Sequence, residues 1–236
     1  MINQLIDYCK FSEKIDEWKL KQDYVISQKK LGEEYKSISR WLSIYNHKDI
    51  EKWRKSVGEQ VADYITEKSK ERGNMVHKTI KDYLSLSWVD RKKHFDSSHG
   101  SFGSMPIEFR TGHFLYDILF MQMCINLENI SDVYMCEDWL YSDKYKLLGR
   151  VDCVARVHDY MAIIDFKTKT TRRTKMSVSE GIQLTAYAEM FNEMFNTNIT
   201  NIVIMGVSED GGVWTYRRET KHYKPLLEDL IRYEKR

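Results

Sequence analysis

Three features of the sequence predict an α/β (α+β) fold, a mixed sheet flanked by helices. Segments near 132–141, 147–157 and 160–168 carry strand-like apolar runs separated by short turns. A helical segment near 178–197 divides them from two further strands, "NIVIMGV" and "VWTYRR", joined at Asp210-Gly211-Gly212. Helical patterns precede the first strand and follow the last. The order helices, three strands, helix, strand, strand, helix suits a mixed sheet covered by helices.

Residues 1–20 predict a helix, with Leu5, Ile6, Cys9, Phe11 and Ile15 as a rough apolar stripe. "DYVISQKKLGEEYKSIS" predicts two short strands around a turn near Gly32. Residues 46–86 are rich in helix formers and predict one or two helices broken near Gly73. "VDRKKHFDSSHGSFGSM" predicts the longest loop, and a helix is expected from Pro106 to about Asn129.

A chain of 236 residues can bury a sizeable core. Its hydrophobic content of 42% is that of an ordinary globular protein, and its net charge of +2 means that any polyanion must be met by a local patch. Cys9, Cys124, Cys136 and Cys153 are scattered with no CxxC, which predicts reduced thiols and no cysteine metal site. The most apolar window, "FLYDILFMQMCI", is short and holds Asp117 and Gln122, so no membrane span is expected. The acids near the N-terminus argue against a targeting segment, and a cytoplasmic location is expected.

The stretch "GRVDCVARVHDYMAIIDFKTKTTRR" carries acids where packing alone would favour apolar residues. A two-residue turn at His158-Asp159 would set Asp152 opposite Asp165, with their Cβ atoms roughly 4.5–5.5 Å apart. Two carboxylates that close repel unless something positive lies between them. Strand alternation puts Lys167 on the face of Asp165 and turns Phe166 into the core. Two acids and a lysine on one face suit a divalent cation with an adjacent ammonium, the set that metal-assisted phosphodiester hydrolysis uses. A plain Asp165–Lys167 salt bridge is the alternative. Gln183 and Tyr187 share a helical face at i, i+4, His77 flanks the stripe Val76, Ile80 and Leu84, and Glu137 in "VYMCEDWLY" could reach the same face.

Taken in order, His77, Gly149 to Asp152 (G-x-x-D), Asp165 to Lys167 (D-x-K) and Gln183 to Tyr187 (Q-x-x-x-Y) resemble the RecB-type branch of the PD-(D/E)XK nucleases. The segments "YKSISRWLS", "WRKSVGEQVADYITEKSKERGNMVHKTIKDYL" and "LLGRVDCVARVHDYMAIIDFKTKT" are similar to the mitochondrial genome maintenance exonuclease family and its phage-encoded relatives, a likeness running from about Tyr35 to Val207. The resemblance implies a restriction-endonuclease-like core over 105–236. An N-terminal hairpin and helical region over 1–104 would cover the active site within one structural domain. It also implies a Mg²⁺- or Mn²⁺-dependent exonuclease that degrades single-stranded DNA from a free end in replication, repair or recombination. By position, Asp152, Asp165, the Phe166 carbonyl and His77 would hold metal, Lys167 would be the catalytic lysine, and Gln183 and Tyr187 would shape the site. The family's P-S-V-T is here Lys36-Ser37-Ile38-Ser39, which leaves DNA contacts by Ser37 and Ser39 open. No cysteine follows Cys153, so the iron–sulfur cluster of some cousins is not expected.

The segment after the second acid, with Thr168, Lys169, Arg172, Arg173 and Lys175 and no acid, is expected to bind phosphates. A solvated basic loop is its plainer reading. The expected partner is single-stranded DNA, with no membrane and a monomeric chain. Two alternatives stand beside this: a recombination exonuclease acting on duplex ends, and an inactive DNA-binding module on the same fold.

Overall fold

The computed structural model describes residues 35–45, 47–98 and 107–234. The expected helix over 1–20, the strands before Tyr35, Cys9 and the end of the expected long loop lie outside the described residues.

The first described elements are a short strand β1 (Lys36–Ser37) and helices α1 (Ile38–Tyr45), α2 (His47–Val57), α3 (Glu59–Leu84) and α4 (Trp88–Ser98). Helix α5 (Phe114–Leu127) leads into an antiparallel meander of β2 (Ile130–Ser142), β3 (Leu147–Val157) and β4 (Tyr160–Lys169). Helix α6 (Val178–Phe195) then returns the chain to β5 (Asn201–Ser208), parallel to β4, before β6 (Val213–Glu219) and α7 (Lys224–Glu234). The sheet is therefore mixed and six-stranded.

Local chemistry explains the boundaries. Ser177 caps α6 in a reciprocal box with Glu180, and Asn196 ends that helix in the left-handed region. β5 is buried almost throughout, as a central strand with helices on both faces must be. On one face Ile163, Ile202 and Ile204 pack with Trp41 of α1, Phe191 of α6 and Leu227 of α7. On the other Ile164, Val203 and Met205 pack with Ile80 of α3 and Phe120 and Met123 of α5.

Three expectations are corrected. Helix α3 runs unbroken through Gly73, and the break falls at Gly58, whose φ of 86° no helix accommodates. A single helical glycine costs only about 1 kcal/mol, and α3 is anchored on both sides of Gly73 by Arg72 and His77. The expected loop after Trp88 is largely helix α4. Ser87 accepts the Asp90 amide at its start (3.2 Å), and buried Arg91 ties it to the sheet through the Ser131 carbonyl (2.9 Å). The helix expected from Pro106 starts only at Phe114, because Gly112 turns at φ 80° and Asp117 gathers the Thr111 amide and hydroxyl instead.

Strand β3 carries β2 along one edge, while its other edge meets β1 at Leu147 and Leu148 and β4 from Cys153 onward. Residues 149–152 have no ladder partner on that second edge. The gap holds the candidate site.

Candidate active site

The hairpin between β3 and β4 has the two-residue turn at His158-Asp159, with His158 at φ 52°. Its register pairs Val157 with Tyr160 and continues to Cys153 with Ile164. One step further would oppose Asp152 to Asp165, but the ladder ends there. The alternation of β3 slips at the same place: Val151 lies in the core beside α6, whereas Cys153, two residues on, lies in the core beneath α3 and α5. Instead of a ladder bond, the Phe166 amide donates to the Asp152 carboxylate (2.9 Å). The expected simple cross-strand pair is thus replaced by a carboxylate wedged between parting strands.

On β4, alternation places Asp165 toward α6 and Phe166 in the opposite core. Lys167 Nζ lies 2.6 Å from Asp165 Oδ2. Gln183 and Tyr187 of α6 face the same space, with the amide donating to the phenol oxygen (3.1 Å). Tyr187 is buried against Gly149, where an added Cβ would lie 2.5 Å from its ring, so the glycine of the G-x-x-D stretch is needed for close packing. Ser39 of α1 hydrogen-bonds to Tyr187, whose phenol pKa is pushed up to about 12, chiefly by burial.

His77 reaches the site from α3. Its Nε2 lies 3.0 Å from the Phe166 carbonyl and its Nδ1 3.1 Å from Glu137 Oε1 and 3.7 Å from Asp152 Oδ2. Burial works against its charge, yet Asp152 and Glu137 outweigh burial and raise its pKa to about 9. The ring is then an imidazolium that donates to Glu137 and to the Phe166 carbonyl. Glu137 holds its place through an unusual backbone, at φ 56°, a conformation that costs a non-glycine residue roughly 1–2 kcal/mol. Its carbonyl accepts from Arg150 Nε (2.9 Å), and its carboxyl is held below the usual range by His77 and Arg150 against the opposing effect of burial.

Burial, then the Asp165 carboxylate, push the Asp152 carboxyl up to about 7. Lys167 is buried too, which opposes its charge, but Asp165 and Asp152 raise its pKa above the ordinary lysine value. The two carboxylates thus favour its ammonium form. Asp165 Oδ2 is sealed from solvent and has no well-angled hydrogen bond despite the nearby Lys167.

These residues fit a divalent cation. His77, Glu137 and Asp152 each offer a ligand atom within 4.8 Å of the others, and Asp165 shares their cavity, ion-paired with Lys167. Carboxylate oxygens suit a hard ion such as Mg²⁺ or Mn²⁺. Phe166 and His77, both expected as ligands, are bonded to each other here. Glu137 joins the group although no motif marks it; its position opposite Asp152, between the pairs Cys136–Cys153 and Asp138–Val151, is the signal. Cys136 and Cys153 themselves are free and face each other across the two strands.

The cavity over these residues measures about 860 Å³ and includes Ser39, His77, Asp152, Asp165, Lys167, Gln183 and Tyr187. The other residues expected to touch DNA do not line it. Ser37 is exposed on β1, and the Thr168 hydroxyl accepts from Arg72 Nε (3.3 Å). Arg173 pairs with Glu180 (2.7 Å), Arg172 donates its amide to Asp210 (3.2 Å), Lys169 is half-buried and Lys175 is exposed. The cavity is lined instead by cations that no motif indicated, Lys70, Lys78 and Lys81 of α3 and Arg150 of β3. Among the described residues no helix is long and apolar enough to cross a membrane.

No curated protein matches the chain at a significant level. Among solved structures, one described as "Crystal structure of SSO0001" is similar at 13% identity and a TM-score of 0.32, covering 68% of this chain and 85% of that one. The family described as the PD-(D/E)XK nuclease superfamily matches residues 104–230, more than half of the 236 residues. With that match laid over the mixed sheet and its flanking helices, the chain belongs to the PD-(D/E)XK nuclease superfamily, a superfamily of metal-dependent nucleases.

Proposed function

We propose that the protein is a Mg²⁺- or Mn²⁺-dependent exonuclease that hydrolyses single-stranded DNA from a free end. The observation that carries this reading is the buried Asp165, ion-paired with Lys167 (2.6 Å), beside an Asp152 whose carboxyl is raised to about 7. Two acids strained in this way, next to a lysine held as an ammonium, are arranged for a cation and a phosphate and not for folding alone. Asp152, Asp165 and Glu137 are the residues that would hold the ion, with His77 joining once it gives up a proton. When bound, the ion supplies Lewis-acid polarisation of the phosphoryl oxygen and an acidified water.

The chain's own groups do the rest. Lys167 neutralises charge that builds on the phosphate in the transition state. Gln183 and Tyr187 wall the cavity opposite α3 and orient the substrate. No cysteine pattern for an iron–sulfur cluster enters this scheme, and a monomer suffices for it.

The preference for a single strand rests on α3. Residues 1–104 form the cover and 105–236 the catalytic core in this reading, and His77 joins the two. A cavity of about 860 Å³ is within the range of small-ligand sites, roomy enough for a nucleotide or two. The narrower likeness to mitochondrial genome maintenance exonucleases points the same way.

The test is digestion of end-labelled linear single strands, closed circular single strands and blunt duplex, each with Mg²⁺ and with EDTA. The linear strand should be degraded with Mg²⁺ alone, while the circle and the duplex persist. Rapid cutting of the circle would overturn the requirement for an end. Equal digestion of the duplex would favour the recombination-exonuclease reading, and no digestion of any substrate would favour the inactive binding module.

A further inference from the structure

We infer that Lys70, Lys78 and Lys81 form a backbone track along α3 that grips substrate phosphates on both sides of the one being cleaved. The inference rests on the reading of the site as a single-strand DNA nuclease and names the surface that holds the strand.

The first support is the pairing state of the helix's cations. Away from the cavity they are neutralised: Lys68 pairs with Glu71 (2.8 Å), and Arg72 pairs with Glu209. Arg54 of α2 pairs with Glu59 and Asp63 of α3. The three lysines that face the cavity are exposed and make no ion pair among the described residues. Together they set three ammonium groups along one lip of the cavity, where a polyanion would meet them. Asp82 is the only exposed acid in that row.

The second support is where the row lies relative to the chemistry. His77 sits within it, at the centre of the candidate metal group. With a rise of 1.5 Å per residue, Lys70 stands about 10 Å to one side of His77 and Lys81 about 6 Å to the other. The Lys70 end lies next to Arg72, which is fastened to Thr168 near the end of β4 and to Glu209 just after β5. The Lys81 end lies near Glu137, where Arg150 adds a further cation. A strand placed with one phosphate at Asp152 and Asp165 therefore runs its neighbours past lysines in both directions. By contrast, the basic segment after β4 lines none of the cavity, and its Arg173 is already paired.

Binding in EDTA separates this inference from the reading it rests on. Fluorescent oligothymidylate is titrated against the full chain across a sodium chloride series. Each lost phosphate contact lowers the slope of log K against log salt by roughly 0.7 for a single strand. The K70A/K78A/K81A variant should flatten the slope by about 2 and weaken binding more for long oligomers than for a dinucleotide. The triple Lys→Arg variant should restore it. R172A/R173A/K175A should flatten it less. All three lysines are exposed, so the variants are expected to melt with the wild type. An unchanged slope in the alanine variant, or a larger loss from the loop variant, would overturn the track. Failure of the wild type to digest any DNA with Mg²⁺ would instead overturn the nuclease reading, and the EDTA slopes would still decide the track.

Discussion

Replacing Asp152 with Asn should abolish cleavage and, in EDTA, make the protein more stable. The folded carboxyl holds its proton to about pH 7, against an ordinary value of 3.8. An unfolded chain releases that proton near pH 4, so it is the folded state that binds more protons between these values. Stability without metal therefore falls as pH rises across the window. At pH 8 the full penalty is about 4 kcal/mol, at 1.36 kcal/mol per pH unit. Asn keeps the shape and an oxygen for the Phe166 amide, but it brings an NH₂ group close to the His77 and Lys167 cations, so about half should be realised. A gain of about 2 kcal/mol raises Tm by roughly 4–8 °C for a chain of this size. Thermal melts from pH 4 to 8, in EDTA and in Mg²⁺, test this directly. The wild type should lose stability with rising pH in EDTA and recover it with Mg²⁺, and the variant should show both effects much reduced, keeping only the share that His77 contributes through Glu137 and Asp165. A variant that melts below the wild type in EDTA at pH 8, with the same Mg²⁺ response, would refute the reasoning.

Lys167→Ala should keep DNA affinity within a few-fold and lose most of kcat, because an ammonium that acts on the transition state changes turnover more than binding; a large loss of affinity with kcat intact would make Lys167 a plain phosphate contact. Gly149→Ala should destabilise by about 1–3 kcal/mol, since its Cβ would enter the Tyr187 ring at 2.5 Å and press on Ile38 at 3.3 Å. Melting and activity at the wild-type level would show that the ring has room to move.

Much of the sheet was legible in the sequence because strands and turns are local. β3 begins and ends where the apolar pattern places it, and the two-residue turn at His158-Asp159 sets the register as far as Cys153 and Ile164. The helix read near 178–197 likewise appears as α6, which the structure shows to start at a capping box of Ser177 and Glu180. Periodicity also puts Asp165 and Lys167 on one face and Phe166 on the other, which follows from the pleat alone. What tertiary structure decided begins one residue beyond that ladder. The slip at Asp152 arises where β1 and β4 compete for one edge of β3, a contest that no local pattern records. Glu137, whose backbone is left-handed opposite the same slip, meets His77 across 60 residues of sequence. His77 meets Phe166 across 89 residues of sequence, and Lys70, Lys78 and Lys81 gain their meaning from the cavity that α3 overlies. A helix repeats every 3.6 residues whatever it packs against; which of its faces meets a carboxylate and which meets solvent is set only when distant segments bury their apolar stripes together.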